Sequence, residues 1–306
     1  MKHKRIIAIA GIALAVLALP HLIFFARAPM LVVTDASFVA LYGLPRIKRQ
    51  QTLASRALFR RVKPVMVADG ASPDIIVVAV SSAATRPFCV LFPRYQAPAA
   101  QRYHQDFPKV PVVLLGEAVP ASRLPSSDGL LYVYETDRNT DMYRAGLCAG
   151  ILANLSRRPA DESPAPRRTF VLWQNPGVTD VQRNLFSLGA RERHPDAGVV
   201  FVRNVGEMPG GEGLSCAVLT AAGAEYFESN PKIPIILLSW LEPAMMPQEV
   251  AILFDDSPWA LVVPAAKMAK NRQNEGKIPS KPLIIPGKVA DNGIFRALRR
   301  AARRMP

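Results

Sequence analysis

The chain has 306 residues, of which 50% are hydrophobic and 20% are charged. This is enough apolar sequence for one large or two medium cores, and the composition excludes a disordered polymer. The net charge of +14 is concentrated near the two termini, and no basic stripe with interleaved aromatic residues is visible, so nucleic-acid binding is not predicted. The three cysteines lack CxxC spacing, which argues against a zinc site or a disulfide framework and leaves one isolated pair possible in an oxidising compartment.

The N-terminal segment has the features of a membrane-targeting sequence. Basic residues at 1–5 precede an uncharged apolar run at 6–25, and about 20 such residues suffice to span a bilayer. Positive residues before the run predict a cytoplasmic N-terminus and an extracytoplasmic remainder. We therefore predict a signal peptide or membrane anchor at 1–29. The small-x-small pattern at 26–28 fits signal peptidase, whereas Pro29 directly after it and the long apolar run favour an uncleaved anchor.

Strands alternate with helices through the first half of the chain. The apolar patterns predict helices at 37–61 and 97–106. The β-branched run at 74–80 is typical of a strand buried on both faces of a parallel sheet. The predicted strands are 31–35, 62–68, 74–80, 110–116 and 130–135. This alternation predicts right-handed βαβ crossovers and a parallel sheet.

The same pattern restarts in the second half. Helices are predicted at 140–156, 179–193 and 258–275. The predicted strands are 169–174, 199–205, 215–220, 233–240, 249–254 and a short closing strand at 282–285. The restart predicts two interleaved lobes, and the predicted boundaries are 30–137 plus 256–285 for the first lobe, 138–255 for the second, and 286–306 for a third crossing and a basic tail.

Two stretches carry the predicted passage between the lobes. Residues 136–150 and 254–260 each run from an apolar strand, through acidic residues, into a helix that contains small residues. These two stretches, together with the order of strands and helices, resemble the corresponding parts of the type I periplasmic binding proteins, the ribose-binding and basic-membrane-protein kind. The resemblance covers nearly everything after residue 30. It implies an α/β fold of two three-layer lobes, and a substrate-binding protein of an ABC importer, anchored at or secreted to the periplasmic side of the inner membrane.

Ligands of open α/β sheets bind beyond the carboxyl ends of the strands. Polar and aromatic residues at those positions suit a cleft that binds a small molecule, and the resemblance adds an arginine on the first helix of the second half. The predicted ligand-binding residues are Asp35, Phe38, Asp137, Asn175, Arg183, Trp240 and Asp255. Each acidic residue has an alternative role as a helix N-cap or turn residue. The acidic and aromatic set favours an amine or a nucleobase-like ligand over an anion.

The chain departs from the sugar-binding members at several strand ends. Gly116-Glu117 stands where those proteins carry an Asp-Arg pair, and Ala221-Ala222 stands where they carry Asn-Asp. These departures disfavour a simple pentose or hexose. They also favour an alternative, a membrane-anchored interaction or sensor domain that kept the fold without a transported ligand.

The motifs of enzymes are missing from the sequence. The glycine-rich stretch at 206–213 has no Walker spacing, Ser215 is not within G-x-S-x-G, and no cluster has metal-ligand spacing. We therefore predict no catalytic residues, no metal and no cofactor. The GxxxG of Gly146 and Gly150 predicts close helix packing. The tail at 295–304 is interpreted as a solvated basic terminus, with contact to anionic lipid as the alternative.

Overall fold

The computed structural model describes residues 19–20, 22–116, 129–155, 169–173, 178–195, 198–202, 214–219, 235–238, 250–285 and 292–304. The strands are β1 (Met30–Asp35), β2 (Val62–Val67), β3 (Cys89–Pro93), β4 (Val112–Gly116), β5 (Leu131–Thr136), β6 (Thr169–Trp173), β7 (Gly198–Val202), β8 (Leu214–Leu219), β9 (Ile235–Leu237), β10 (Val250–Asp255), β11 (Glu275–Ile278) and β12 (Lys281–Ile284). The helices are α1 (Ala36–Tyr42), α2 (Leu44–Leu58), α3 (Pro73–Ala83), α4 (Ala97–Asp106), α5 (Arg138–Leu155), α6 (Asp180–Arg193), α7 (Pro258–Lys270) and α8 (Asn292–Ala301).

The strands form two sheets that share one topology. The first has the order β11-β5-β4-β3-β1-β2, and the second has the order β12-β10-β9-β8-β6-β7. In both, the first strand along the chain pairs in parallel with the second and the third. This is a doubly wound order, and its switch point lies between β1 and β3 in the first sheet and between β6 and β8 in the second. The predicted α/β class with parallel sheets is confirmed.

The chain divides into two compact units. The first comprises residues 1–134 with 262–276, and the second comprises residues 135–261 with 277–306. In the first unit, β1, β3 and β4 are apolar and fully buried apart from their ends, as expected of central strands covered by helices on both faces. In the second, α5 packs against α6, β8 and β9, and the same core includes residues of β10 and α8. Each unit thus has its own core.

The helix α3 occupies the segment that the sequence predicts as a strand at 74–80, so that prediction is wrong. The hydroxyl of Ser72 accepts a hydrogen bond from the Ile75 N–H, and Pro73 occupies the first turn, where a proline is tolerated. Only one side of the β-branched run is buried, since Ile75 and Val78 are 60% and 63% exposed. The capping signal and this helical periodicity outweigh the β-propensity of the run. The third strand is instead β3.

The C-terminal part of the fold also differs from the prediction. The predicted helix at 258–275 ends at Lys270, and β11 follows it in the first sheet. The prediction places the closing strand at 282–285 in the first lobe, but β12 pairs antiparallel with β10 of the second sheet. The chain therefore passes from one sheet to the other at 279–280, and the third crossing predicted near Pro286 is wrong. An edge strand has no local signal for its partner, because the pairing is a long-range contact.

The predicted helix at 37–61 is divided into α1 and α2. Gly43 lies between them with a φ of 87°, a conformation that favours glycine, and Pro45 occupies the first turn of α2. No helix in the described ranges is both long and apolar enough to cross a membrane. Residues 1–18, which hold most of the predicted apolar segment, lie outside those ranges.

Candidate functional site

The switch point of the first sheet brings together Asp35 and Tyr95. Asp35 ends β1, and Tyr95 follows β3 in a short 3-10 turn. The Tyr95 hydroxyl donates a hydrogen bond to one carboxylate oxygen of Asp35, and the Phe38 N–H donates to the other at 2.7 Å. Asp35 is therefore a buried N-cap of α1. Tyr95, by contrast, is 59% exposed to solvent. A fixed carboxylate beside an exposed aromatic ring is a chemically competent ligand contact.

A second carboxylate lies close to this pair. Asp69, in the loop after β2, accepts a hydrogen bond from the Ser37 N–H at 2.8 Å. The pKa of Tyr95 is raised above its usual value. The main cause is desolvation of its hydroxyl, and the hydrogen bond to Asp35 and the charges of Asp35 and Asp69 act in the same direction. The phenol therefore remains a neutral donor at physiological pH. The local field at this edge of the sheet is negative and disfavours a bound anion.

Unlike Tyr95, its two neighbours in the chain are buried. Arg94 is 4% exposed, and Gly116 at the end of β4 lies against it. A Cβ atom at Gly116 would lie 3.2 Å from the Arg94 Cβ. The backbone of Gly116 has a φ of 154°, which residues other than glycine rarely adopt. Gln96 is buried, and within the described part of the chain its side-chain carbonyl oxygen has no hydrogen-bond partner. Such a buried oxygen is an acceptor that a ligand or water could satisfy.

In the second unit, two predicted site residues serve as local caps. The carboxylate of Asp137 accepts hydrogen bonds from the Thr140 N–H at 3.1 Å and the Thr140 hydroxyl at 2.7 Å. Asp255 is buried at the end of β10 and accepts from the Ser257 N–H at 3.1 Å. These contacts match the alternative capping role that the sequence leaves open for both acids. The two residues still stand at strand ends, so their assignment as ligand contacts remains a prediction.

A buried ionic network lies beside these caps. Arg138 at the start of α5 contacts the carboxylate of Asp256 at 2.5 Å and also donates to the backbone carbonyl of Leu238. The fully buried Asp141 accepts from the Ser280 N–H at 2.9 Å and from the Ser280 hydroxyl. Burial raises the pKa of Asp141 to about 6, against the opposing effects of the Ser280 hydrogen bond and the Arg138 charge. The network ties α5 to Leu238, which follows β9, to Asp256, which follows β10, and to Ser280, which precedes β12.

The remaining predicted site residues differ in their solvent exposure and in their contacts. Phe38 is 5% exposed and its ring stacks on Tyr42 at a centroid distance of 4.9 Å, which is a packing contact. Arg183 on α6 is partly buried, pairs with Asp180 at 3.4 Å and lies over the ring of Phe201. Asn175 and Trp240 lie outside the described residues.

The sequence-based prediction missed Tyr95, Arg94 and Gln96. They follow the apolar run at 89–93, where no strand is predicted because the predicted third strand is 74–80. The run Cys-Val-Leu-Phe-Pro before Arg94 is the signal that could have identified them. A strand there would have placed the next residues at the carboxyl edge of the sheet.

Comparisons with known proteins reveal the fold only. No family model matches the sequence, and no curated protein matches it. Among solved structures, an ABC transporter system solute-binding protein from Conexibacter woesei is 13% identical, over 92% of this chain and 99% of that one, with a TM-score of 0.54. A transcriptional activator of the comK gene from Bacillus halodurans is 14% identical, over 92% and 100%, with a TM-score of 0.55. The chain thus has the fold of the type I periplasmic binding proteins, as the resemblance predicts.

Proposed function

We propose that the chain is an extracytoplasmic ligand-binding protein whose two lobes close around a small organic molecule. The observation that carries this proposal is the pair of Asp35 and Tyr95 at the switch point of the first sheet. Open α/β sheets bind ligands at this position. The similarity of the fold to a solute-binding protein supports the same function.

The chemistry of the site favours a cationic or aromatic ligand. The Asp35 carboxylate accepts from Tyr95 and from the Phe38 N–H, but a carboxylate has about four acceptor positions, so it can accept from a ligand as well. The exposed ring of Tyr95 can stack on a nucleobase or contact an ammonium group. An amine or a nucleobase-like compound therefore suits the site better than an anion. The buried side-chain oxygen of Gln96 is a further acceptor.

The contribution of the second lobe is proposed from the sequence. Asp137, Asn175, Arg183, Trp240 and Asp255 stand at or just after the predicted strand ends of that half or at the crossings into it. The capping roles of Asp137 and Asp255 do not conflict with ligand contacts, because their carboxylates also have more than one acceptor position. On the side of the first lobe, Phe38 is proposed to support the site from within α1, since its ring is buried against Tyr42 of the same helix.

The cellular setting is part of the same proposal. The basic and apolar leader at 1–29 would place the protein at the periplasmic side of the inner membrane, anchored or released by cleavage. The partner would be the permease of an ABC importer, to which a closed and loaded binding protein delivers its ligand. Mass spectrometry of the protein purified from membranes tests the leader, and a mature chain that begins near Pro29 would contradict an uncleaved anchor.

A second candidate function is an interaction or sensor domain that has the fold and no transported ligand. Two observations favour it: the packing of Phe38 on Tyr42, and the use of Asp137 and Asp255 as caps. The similarity to a transcriptional activator supports it as well, because it indicates that this fold is not restricted to transport.

A thermal-shift screen over nucleosides, amino acids, polyamines and sugars tests the proposal. A ligand that binds only the folded state raises the melting temperature, and a concentration of 100 times Kd corresponds to about 2.7 kcal/mol. We expect a shift with an amine or a nucleoside, and a smaller shift in Tyr95→Ala. The control is Leu188→Ala, at an exposed position of α6 in the second unit, which should keep the full shift. If no compound shifts the parent protein, the interaction-domain function is favoured instead.

A further inference from the structure

The helix α8 has an apolar face and a cationic face. Leu298 and Ala301, with Ala302 just after the helix, are buried and belong to the core of the second unit. The arginines of the segment follow the spacing i, i+3, i+4, i+7 and i+8, which places them along one side of a helical turn pattern. They are Arg296, Arg299, Arg300, Arg303 and Arg304. The buried face holds the helix on the protein, so the arginine side is what it presents outward.

These arginines line a concavity of about 600 Å³ together with one arginine from another helix, Arg193 at the end of α6. Small-molecule sites typically have volumes of about 300–1,000 Å³. The lining residues are Arg193, Arg296, Arg299, Arg300, Arg303 and Arg304. We name this concavity the arginine pocket. It is built from two elements, which distinguishes it from a frayed basic tail.

The arginine pocket is held in shape by contacts at its edge. Arg304 forms an ion pair with Glu192 of α6, and its backbone carbonyl accepts a hydrogen bond from Arg144 at 2.8 Å. The Tyr143 hydroxyl donates to the other oxygen of Glu192 at 2.7 Å. The hydrogen bond from Tyr143, with the charge of Arg304, lowers the pKa of Glu192. The end of α8 is thereby fastened to α5 and α6, which reduces the ordering that a ligand would have to impose.

Four of the six arginines that line the pocket have no carboxylate partner among the described residues. Glu192 offsets the charge of Arg304, but no described carboxylate pairs with Arg296, Arg299, Arg300 or Arg303. Like charges held together repel one another, and an anion bound among them removes that repulsion. Guanidinium groups bind phosphate oxygens in a bidentate manner. A ligand with several phosphate groups would therefore be matched in both charge and geometry.

We propose that the arginine pocket is a binding site for a ligand with clustered phosphate groups, separate from the site at Asp35 and Tyr95. Such phosphates are carried by free polyphosphorylated molecules and by the headgroups of anionic phospholipids. The described lining contains no aromatic ring, so base stacking, on which single-stranded nucleic acid depends, is not offered. The apolar face of α8 is buried in the protein core, so binding to a lipid would be through headgroups and not by insertion.

The test uses the full-length chain in neutral detergent and sodium tripolyphosphate as the free ligand, followed by calorimetry. The test variant is Arg296→Gln/Arg300→Gln/Arg303→Gln. Its matched control is Lys48→Gln/Arg49→Gln/Arg56→Gln, which removes the same charge from exposed positions of α2. At about 1 kcal/mol per cationic side chain, three substitutions in the pocket weaken binding about 100-fold. The control should bind like the parent, and replacing the three arginines by lysine should give an intermediate affinity.

A second arm distinguishes the two sources of phosphate. The same proteins, diluted below the critical micelle concentration of the detergent, are sedimented with vesicles of phosphatidylcholine alone and of equimolar phosphatidylcholine and phosphatidylglycerol. Binding to anionic vesicles that the pocket variant loses and tripolyphosphate displaces identifies headgroups as ligands of the pocket, whereas binding of tripolyphosphate alone identifies a free ligand. Either result supports the proposal. If neither probe binds, or if the α2 control loses as much affinity as the pocket variant, the proposal is wrong.

Discussion

The phenol of Tyr95 donates a hydrogen bond to the carboxylate of Asp35, and this contact joins two residues that are 60 positions apart in the sequence, one at the end of β1 and one just after β3. The same carboxylate caps α1 through the Phe38 N–H. Asp35 thus has a structural role in addition to its proposed contact with the ligand. Its substitutions should separate the two, because an amide preserves the cap and alters the charge.

The first prediction concerns stability at this pair. Asp35→Ala should lower the free energy of unfolding by about 1–2 kcal/mol, because the N-cap of α1 is lost. Asp35→Asn retains a capping oxygen and should cost less, and Tyr95→Phe should cost about 1 kcal/mol or less, because it removes one hydrogen bond. Urea unfolding measures all three. Equal stability of Asp35→Ala and the parent would contradict the cap.

The second prediction concerns the pH dependence of stability at Asp141. Its pKa is about 6 in the folded protein against a reference value of 3.8, so the folded state holds the proton more tightly. Asp141 therefore contributes to the free energy of unfolding fully below pH 3.8, and this contribution is lost as the pH rises through about 6. The loss amounts to about 3 kcal/mol. Asp141→Asn should lack this loss, so its stability relative to the parent should rise from acidic to neutral pH in urea titrations.

Ser280→Ala, in the same network, should have the opposite pH dependence to Asp141→Asn. The Ser280 hydroxyl donates to the charged form of Asp141. Its removal should raise the pKa of Asp141 further and destabilise the protein at neutral pH more than in acid. A pH-independent effect would show that Asp141 does not ionise in the range considered.

The third prediction concerns the packing of α5 on α6, which confirms the interpretation of Gly146 and Gly150 as close helix packing. A Cβ at Gly146 would lie 2.1 Å from the Phe186 carbonyl oxygen, and one at Gly189 would lie 2.3 Å from the Tyr143 carbonyl oxygen. Gly146→Ala and Gly189→Ala should each lower the free energy of unfolding by about 2 kcal/mol or more, since the helices must separate. The control Leu188→Ala, at an exposed position of α6, should change it by less than about 0.5 kcal/mol.

The fourth prediction concerns thiol reactivity. Burial raises the pKa of Cys89 to about 12 and also raises that of Cys148, so neither presents a thiolate at neutral pH. In a Cys216→Ser variant, mass spectrometry after iodoacetamide treatment should find the folded protein unlabelled. Both cysteines should be labelled once the protein is unfolded in urea. Labelling of either thiol under native conditions at the rate of the unfolded chain would contradict their burial.

Much of the element order could be read from local sequence. The helix at 97–106 and the strands near 62–67, 112–116 and 131–136 were predicted within two residues or fewer at each end. Each is bounded by proline, glycine or acidic residues and has a clear apolar pattern. The prediction of a strand at 74–80 is wrong because a β-branched run is compatible with a strand and with a helix. The burial of only one side of this segment distinguishes the helix.

The candidate site was harder to predict than the fold. Strand ends identified Asp35, Asp137 and Asp255, and their carboxylates do cap or turn the chain there. Tyr95 could not be placed before β3 was recognised. The stacking of Phe38 on Tyr42 and the collection of arginines from α6 and α8 depend on contacts between distant segments, which no local pattern reports.

The alternation of strands and helices, the parallel α/β class and the acidic residues at the strand ends follow from the local sequence, because apolar periodicity, capping and turn chemistry act between near neighbours. Long-range packing pairs β12 with β10, brings Tyr95 to Asp35 and collects Arg193 and the arginines of 296–304 into one pocket. Strand partners and burial are set by contacts between segments far apart in the chain. Several arrangements of the same local elements satisfy the local rules equally well, and the packing of the core selects among them.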